Sequence, residues 1–105
     1  MTREEILAMK PGLELNIKVA EDIIGSKVVE DKKLGYMEKL TSGSDSIWDA
    51  VLDYSGDMWA AELVVNKMVP RGYADAVCWA DFGGGIYTEP EAICKAALTA
   101  LLESP

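Results

Sequence analysis

The chain has 105 residues, enough for one domain with its own hydrophobic core. Lys and Arg total 10 against 18 Asp and Glu, and the resulting net charge of -8 argues against a protein that binds duplex nucleic acid or an anionic membrane surface. The sequence contains no histidine, which excludes Ser-His-Asp and Cys-His catalysis, histidine metal sites and histidine pH switches.

The first two helices are predicted from capping residues and apolar periodicity. Thr2 and Glu5 have the spacing of a capping box and begin a short helix that runs to about Met9. Apolar residues at helical spacing predict a second, well-buried helix over about 13–24, and Gly25 is a natural residue to end it.

Two further helices are predicted in the second half of the chain. Ser55 is a good N-cap for a third helix over roughly 56–68. Thr88 and Glu91 form a second capping box, with a proline in the first turn, and the final helix runs to about Leu102.

The strands are predicted in two regions. Residues 27–30 and 34–37 each have the character of a short strand, and 41–46 reads as a polar loop, so we expect a mobile segment at 26–46. Residues 73–82 alternate with apolar groups on both faces, which predicts a strand covered on both sides. The expected fold is α+β: a single-domain α-β-α sandwich over 1–105 with a central, mainly antiparallel sheet.

The cysteines and the chain start bear on the cell compartment. Cys78 and Cys94 are not in a Cys-x-x-Cys spacing, which argues against a zinc site or a redox motif. We expect two reduced, buried thiols, with a single disulfide between them as the alternative. The sequence shows no signal peptide and no apolar stretch near the roughly 20 residues that span a bilayer, so we expect a cytoplasmic protein.

Three stretches, read together, resemble one known family, the phage ABA sandwich domain family. They are the opening MTREEILAMKPGLELNIKVAEDIIG, the stretch YSGDMWAAELVVNKM, similar to the family's YSTD-type helix start, and TEPEAICKAALTALLE, similar to its AP-x-AICRAAL helix. Lys95 stands where the family usually has arginine, and Trp59 lies one helical turn before the family's usual tryptophan position.

The resemblance implies an α-β-α sandwich of phage or prophage origin. Small phage proteins of this kind include Thoeris anti-defence sponges, which oligomerise and sequester cyclic ADP-ribose-type signals, sometimes also cyclic oligonucleotides, without cleaving them. The hypothesis is a non-catalytic, homo-oligomeric protein in the host cytoplasm that binds a cyclic nucleotide immune signal and needs no cofactor or metal.

A nucleotide needs cations or backbone N–H groups for phosphate, a flat apolar group for the base and polar groups for ribose. A glycine turn, aromatic side chains and a helix start combine these features near the C-terminal helix, and an arginine lies in the break before the 73–82 strand. The candidate ligand-binding residues are Arg71, Trp79, Phe82, Gly84, Tyr87, Thr88, Glu91 and Lys95. The alternative is a glycine hairpin turn with core aromatics, a solvated lysine and a solubilising arginine.

Two other classes of function stay open. The first is an acidic module that binds and inhibits a host protein. The second is a carboxylate or metal enzyme, but Asp45, Asp49, Asp53 and Asp57 are interrupted by a Ser-Gly pair, and no pair of carboxylates has the spacing of a hydrolase dyad. Trp48 and Trp59 are interpreted as core or interface residues.

Overall fold

The computed structural model describes residues 2–74 and 89–103 and, of Ser42, the backbone only. The elements in chain order are α1 Arg3–Ala8, α2 Leu13–Val19, a π-helical turn Ala20–Ile24, β1 Val28–Asp31, β2 Gly35–Ser42, β3 Asp45–Ala50, α3 Met58–Met68, a 3₁₀ turn Val69–Arg71 and α4 Pro90–Glu103. Helices and a three-stranded antiparallel sheet occupy separate parts of the chain, which confirms the predicted α+β class. No helix within these ranges is long and apolar enough to cross a membrane.

The ends of the first two helices follow from local sequence. The Thr2 hydroxyl accepts from the Glu5 amide at 3.2 Å while the Glu5 carboxylate accepts from the Thr2 amide at 3.0 Å, so the predicted capping box is present. The predicted helix over 13–24 is continuous but changes from α to π geometry after Val19. It ends at Gly25, whose φ of 80° lies in the left-handed region that favours glycine.

The start of α3 corrects one prediction. Asp57, not Ser55, is the N-cap, and its carboxylate accepts from the Trp59 amide at 3.1 Å. Ser55 is buried, and its hydroxyl donates to the Asn16 side-chain oxygen at 2.7 Å. Both residues have the chemistry of a cap, but a contact with the distant Asn16 occupies Ser55 and moves the helix start toward Asp57.

The sheet is a meander of order β1-β2-β3 with both pairs antiparallel. Val28 lies opposite Glu38, and Lys39 lies opposite Trp48. The two short strands predicted at 27–30 and 34–37 are confirmed, but the loop predicted at 41–46 is wrong in extent. The strands continue through it and leave a two-residue turn at 43–44, where Gly43 has a φ of 63°. The predicted mobility of 26–46 stays a prediction.

The hydrophobic core lies among the helices, with α4 in contact with both α1 and α3. The largest fully buried side chains are Tyr54, Leu15, Ile23, Met68, Glu38, Val19, Val64 and Cys94. The Glu38 carboxylate joins the sheet to this core, accepting from the Tyr54 hydroxyl at 2.5 Å and from the Leu52 amide at 3.2 Å. Because a buried carboxylate needs such partners, these two hydrogen bonds hold β2 against the segment that contains Leu52 and Tyr54.

Several predictions about burial can be compared with this core. Cys94 is a free, buried thiol, as expected, whereas Cys78 lies outside the described residues. Trp59 is 80% exposed and Trp48 is 45% exposed, so neither is a core residue of the single chain. A central strand is predicted over 73–82, and all of it except the first two residues lies outside the described residues.

Candidate functional site

The predicted ligand-binding residues divide into two groups. Trp79, Phe82, Gly84, Tyr87 and Thr88 lie outside the described residues. The structure therefore bears on Arg71, Glu91 and Lys95 alone, and it places them in two different parts of the molecule.

Lys95 is a buried contact between α1 and α4. The residue is 7% exposed, and its ammonium donates to the Glu91 carboxylate at 2.6 Å and to the Leu7 carbonyl oxygen at 2.9 Å. Both bonds are charge-assisted, and the second satisfies a carbonyl group near the end of α1. The interpretation of Lys95 as a solvated lysine is wrong, and its predicted contact with phosphate is disfavoured because phosphate would have to displace these partners.

Arg71 is the last residue of the 3₁₀ turn. It is exposed, and among the described residues its guanidinium has one long hydrogen bond, at 3.4 Å to the carbonyl oxygen of Ile23. A guanidinium carries five N–H donors in a planar fork. Arg71 therefore has donors left for a ligand.

Arg71 borders a cleft of about 670 Å³ between the end of the π-helical turn, β2 and the end of α3. Apolar side chains form much of its wall, and hydroxyl, amide and basic groups complete it. The lining residues are Ile24, Gly25, Ser26, Lys39, Leu40, Thr41, Tyr54, Leu63, Asn66, Lys67, Pro70 and Arg71.

The charge of this cleft is opposite to that of the whole chain. Among the described residues that line it, three are basic and none is acidic, although the chain has 18 acidic and 10 basic residues. The ion pairs found within the described residues use Arg3, Lys18 and Lys95 as cations, so none of them neutralises the cleft. The cleft is therefore an electropositive hollow in an acidic protein.

Lys67 and Arg71 are the cations best placed to reach a ligand. They are four residues apart across the last turn of α3 and the 3₁₀ turn, a spacing that puts side chains on one side of a helix. Lys39 is less well placed than these two cations. Successive side chains of a strand point to opposite faces, and Glu38 points to Tyr54 in the helical layer, so the Lys39 side chain starts from the other face of β2.

Basic residues at this place also have a structural explanation. The carbonyl end of a helix carries partial negative charge, and Lys67 and Arg71 offset that charge at the end of α3. Two full positive charges exceed the partial charge of a helix end, and neither residue belongs to an ion pair found within the described residues.

The β2 backbone contributes a donor at the rim. The Lys39 amide donates to the Lys27 carbonyl oxygen at 2.9 Å, so alternate residues of β2 direct their amides toward β1. β1 begins at Val28 and does not extend far enough to meet Thr41. The Thr41 amide therefore points to the side where Ser26 lines the cleft.

Tyr54 closes the deep end of the cleft. Its hydroxyl is held by Glu38, and burial, together with that hydrogen bond, raises the pKa of the Tyr54 phenol above its ordinary value. The phenol stays protonated and donates inward, so Tyr54 supplies an uncharged wall and no free hydroxyl.

A second hollow, of about 510 Å³ between α1, α2 and α4, has the opposite character. Its lining includes Glu21 and Asp22, and Lys18 is already paired with Asp22. This hollow offers an anion no free cation, so the cleft beside Arg71 is the stronger candidate.

The described residues contain no cluster of three Asp, Glu or Cys side chains that would hold a metal ion. Burial raises the pKa of the Cys94 thiol to about 12, and the thiol contacts the carbonyl oxygen of Tyr54 at 3.1 Å. A buried thiol with a raised pKa is a poor nucleophile at neutral pH.

Sequence reasoning identified one of the three cleft cations, Arg71. The i, i+4 spacing between Lys67 and Arg71 is visible in the sequence and points to both residues. Nothing local links Lys39 or Ser26 to them, because the strand and the helix end meet only in the folded chain.

Comparison of the chain with protein-family models, with curated proteins and with solved structures gives no match. The resemblance to the phage ABA sandwich family therefore stays a prediction. The geometry of the cleft is therefore the feature that bears on function.

Proposed function

We propose that this protein binds a small anionic ligand of the nucleotide class in the cleft beside Arg71 and holds it unreacted. One observation carries the proposal: within the described residues, three basic side chains and no acidic one line the cleft, in a chain of net charge -8. Uncompensated positive charge next to an acidic surface favours an anionic ligand and directs it to this place.

The cleft has the size and the chemical groups that such a ligand needs. Ligand sites in proteins are typically about 300–1,000 Å³, and about 670 Å³ falls within that range. Lys67 and Arg71 would bind phosphate, while Leu63 and Pro70 offer an apolar surface to a base. The Ser26 hydroxyl would form a hydrogen bond with the sugar of the ligand.

The proposal is sequestration and not turnover. The chain has no histidine to act as a base, and Cys94 is buried with a raised pKa. The cyclic nucleotide signals implied by the sequence resemblance are ligands of this class, and a sponge for such a signal would act in the host cytoplasm.

We include oligomer formation in the proposal. Trp59 is almost wholly exposed at the start of α3, next to Met58, which is also exposed. Exposed aromatic and methionine side chains are typical of surfaces that bind another chain. Light scattering at micromolar concentration tests this part, and a monomer mass contradicts it.

Isothermal titration of a ligand panel tests the site. The panel contains cyclic ADP-ribose isomers, cyclic dinucleotides and inorganic pyrophosphate. A hydrogen bond to a charged group is worth about 1.5–3 kcal/mol, so Arg71→Ala is expected to weaken binding by roughly 10–150-fold. Lys67→Ala should weaken it too, and the matched control Arg3→Ala, which removes an exposed arginine paired with Glu103, should not.

The fate of the ligand separates the classes of function. Heating the complex should release the ligand intact if the protein sequesters it. An altered product indicates an enzyme, and no uptake of any member of the panel favours a protein-binding module. Equal affinity for the wild type and for folded Arg71→Ala and Lys67→Ala proteins would remove the cleft from consideration.

A further inference from the structure

An edge strand lies exposed on both faces, on the side of the sheet away from the cleft. β3 pairs with β2 along one side, no other strand in the described part of the chain pairs with its second side, and all six of its residues are exposed. Ile47 is 61% exposed, and Trp48 is on the same strand. A free strand edge with apolar side chains is a template for another strand, and native proteins usually shield such edges.

The ladder shows which backbone groups point outward. The Val51 amide donates to the Tyr36 carbonyl oxygen at 3.3 Å, which continues the β2–β3 pairing past the end of β3. Hydrogen bonding alternates along an antiparallel strand, so Ser46 and Trp48 direct their N–H and C=O groups away from β2.

The end of this edge is shielded by its own side chain. The Ala50 amide also points outward, and the Asp49 carboxylate accepts from it at 2.8 Å. Ser46 and Trp48 are therefore the two positions at which the edge of β3 offers backbone groups to a partner.

The side chains set the charge of a partner. Asp45, Ile47 and Asp49 alternate with the other residues of β3 and so share one face. β3 has no basic residue, and neither aspartate belongs to an ion pair found within the described residues. A strand that pairs with β3 is best stabilised when the three residues opposite these side chains, each two positions apart in its sequence, are basic, apolar and basic. Opposite charges directly across a strand pair stabilise it.

A second copy of the same chain fits this edge poorly in the register that pairs Ser46 with Trp48. Two-fold antiparallel pairing that joins Ser46 of each copy to Trp48 of the other uses both outward positions. The same register places Asp45 opposite Asp49 on both sides of the two-fold axis, and like charges directly opposite are destabilising.

We propose that the free edge of β3 is a docking site for an extended, basic segment of a partner protein, which adds to the sheet as a fourth strand. Backbone hydrogen bonds to Ser46 and Trp48 supply the attachment, and Asp45, Ile47 and Asp49 select the alternating side chains. The site is independent of the cleft, which lies beside the opposite edge of β2.

Titration with a synthetic peptide tests the proposal. The probe, named the lysine–valine peptide, is the acetylated, amidated heptapeptide Thr-Lys-Thr-Val-Thr-Lys-Thr, whose lysine, valine and lysine share one strand face. The readout combines isothermal titration with the backbone amide NMR shifts of Ser46 and Trp48. Ser46→Pro removes the outward N–H, and Ser46→Ala is the matched control that keeps it. A net backbone hydrogen bond is worth about 1 kcal/mol, so we expect Ser46→Pro to weaken binding about fivefold or more and Ser46→Ala to leave it unchanged.

The charge of the partner has its own test. Asp45→Asn with Asp49→Asn removes both charges but keeps an oxygen that accepts from the Ala50 amide, and it should lower affinity roughly two- to tenfold. A peptide in which glutamate replaces both lysines, and the lysine–valine peptide with N-methylated amides, should not bind.

Four results overturn the proposal. Three concern the peptide: no binding of the lysine–valine peptide, equal binding by Ser46→Pro and Ser46→Ala, or equal binding of the N-methylated peptide. The fourth is a dimer of the wild type that Ser46→Pro abolishes, which favours a second copy at this edge. Arg71→Ala should leave peptide binding intact, so a failure here is distinct from a failure of the cleft.

Discussion

Replacing Lys95 with methionine separates a structural lysine from a ligand-binding one. Lys95→Met keeps an unbranched apolar stem between α1 and α4 and removes the ammonium that donates to Glu91 and to the Leu7 carbonyl oxygen. We expect a less stable protein whose cleft binds its ligand as before, because neither Lys95 nor Glu91 lines that cleft.

The size of the effect follows from how far each partner can be rehydrated. The Glu91 side chain is 35% exposed and is rehydrated when the ammonium is lost, so the loss of this ion pair contributes little to the change in stability. The Leu7 carbonyl group loses a charge-assisted hydrogen bond, worth about 1.5–3 kcal/mol. For a domain of this length, we expect a melting temperature lower by roughly 6–15 °C.

Urea unfolding followed by circular dichroism measures this loss, and titration of the ligand panel below the melting temperature measures affinity. Lys18→Met is the matched control, because Lys18 and Asp22 form the same kind of i, i+4 pair on the surface, where such pairs contribute about 0.3–0.5 kcal/mol. Equal stability of Lys95→Met and wild type, or a weaker affinity of the folded variant, would refute the assignment of Lys95 to the α1–α4 contact.

Three other predictions concern stability. Asn16→Ala leaves the buried Ser55 amide without its acceptor and should lower the urea-unfolding free energy by about 1–3 kcal/mol. Gly56→Ala would place a Cβ atom 2.4 Å from an oxygen of the exposed Asp53 carboxylate, which must turn away and release its hydrogen bond from the Asn16 side chain; it should cost about 0.5–1.5 kcal/mol in the same assay, and an unchanged midpoint contradicts the crowding. The Cys94 pKa rises from 9.0 to about 12 on folding, so the unfolded chain releases this proton first. The stability from Cys94 is present below pH 9 and is lost toward pH 12, by up to about 1.4 kcal/mol per pH unit, and the gap between wild type and Cys94→Ala in urea unfolding should narrow over that range.

Local chemistry made parts of the fold predictable. The capping box at Thr2 and Glu5 and the left-handed Gly25 depend on residues a few positions apart, and both are confirmed. The start of α4 at Pro90 agrees with the preference of proline for the first helical turn.

Long-range contacts decided where local signals competed. Two good caps stand two residues apart at the start of α3, and the bond from Ser55 to Asn16, 39 positions away, leaves the role to Asp57. Lys95 has the same sequence context whether it is solvated or buried, and only the approach of α1 brings the Leu7 carbonyl group to it.

The sequence alone determined the α+β class, the acidic surface and the absence of histidine chemistry, because composition, caps and periodicity act within a few residues of the chain. Only the tertiary structure brought Lys67 and Arg71 to one wall of a cleft and β2 to the other, and left β3 with one partner strand among the described residues. A cleft depends on where elements meet, and an open edge depends on which strands fail to meet. Neither property belongs to any single segment, so no local pattern encodes it.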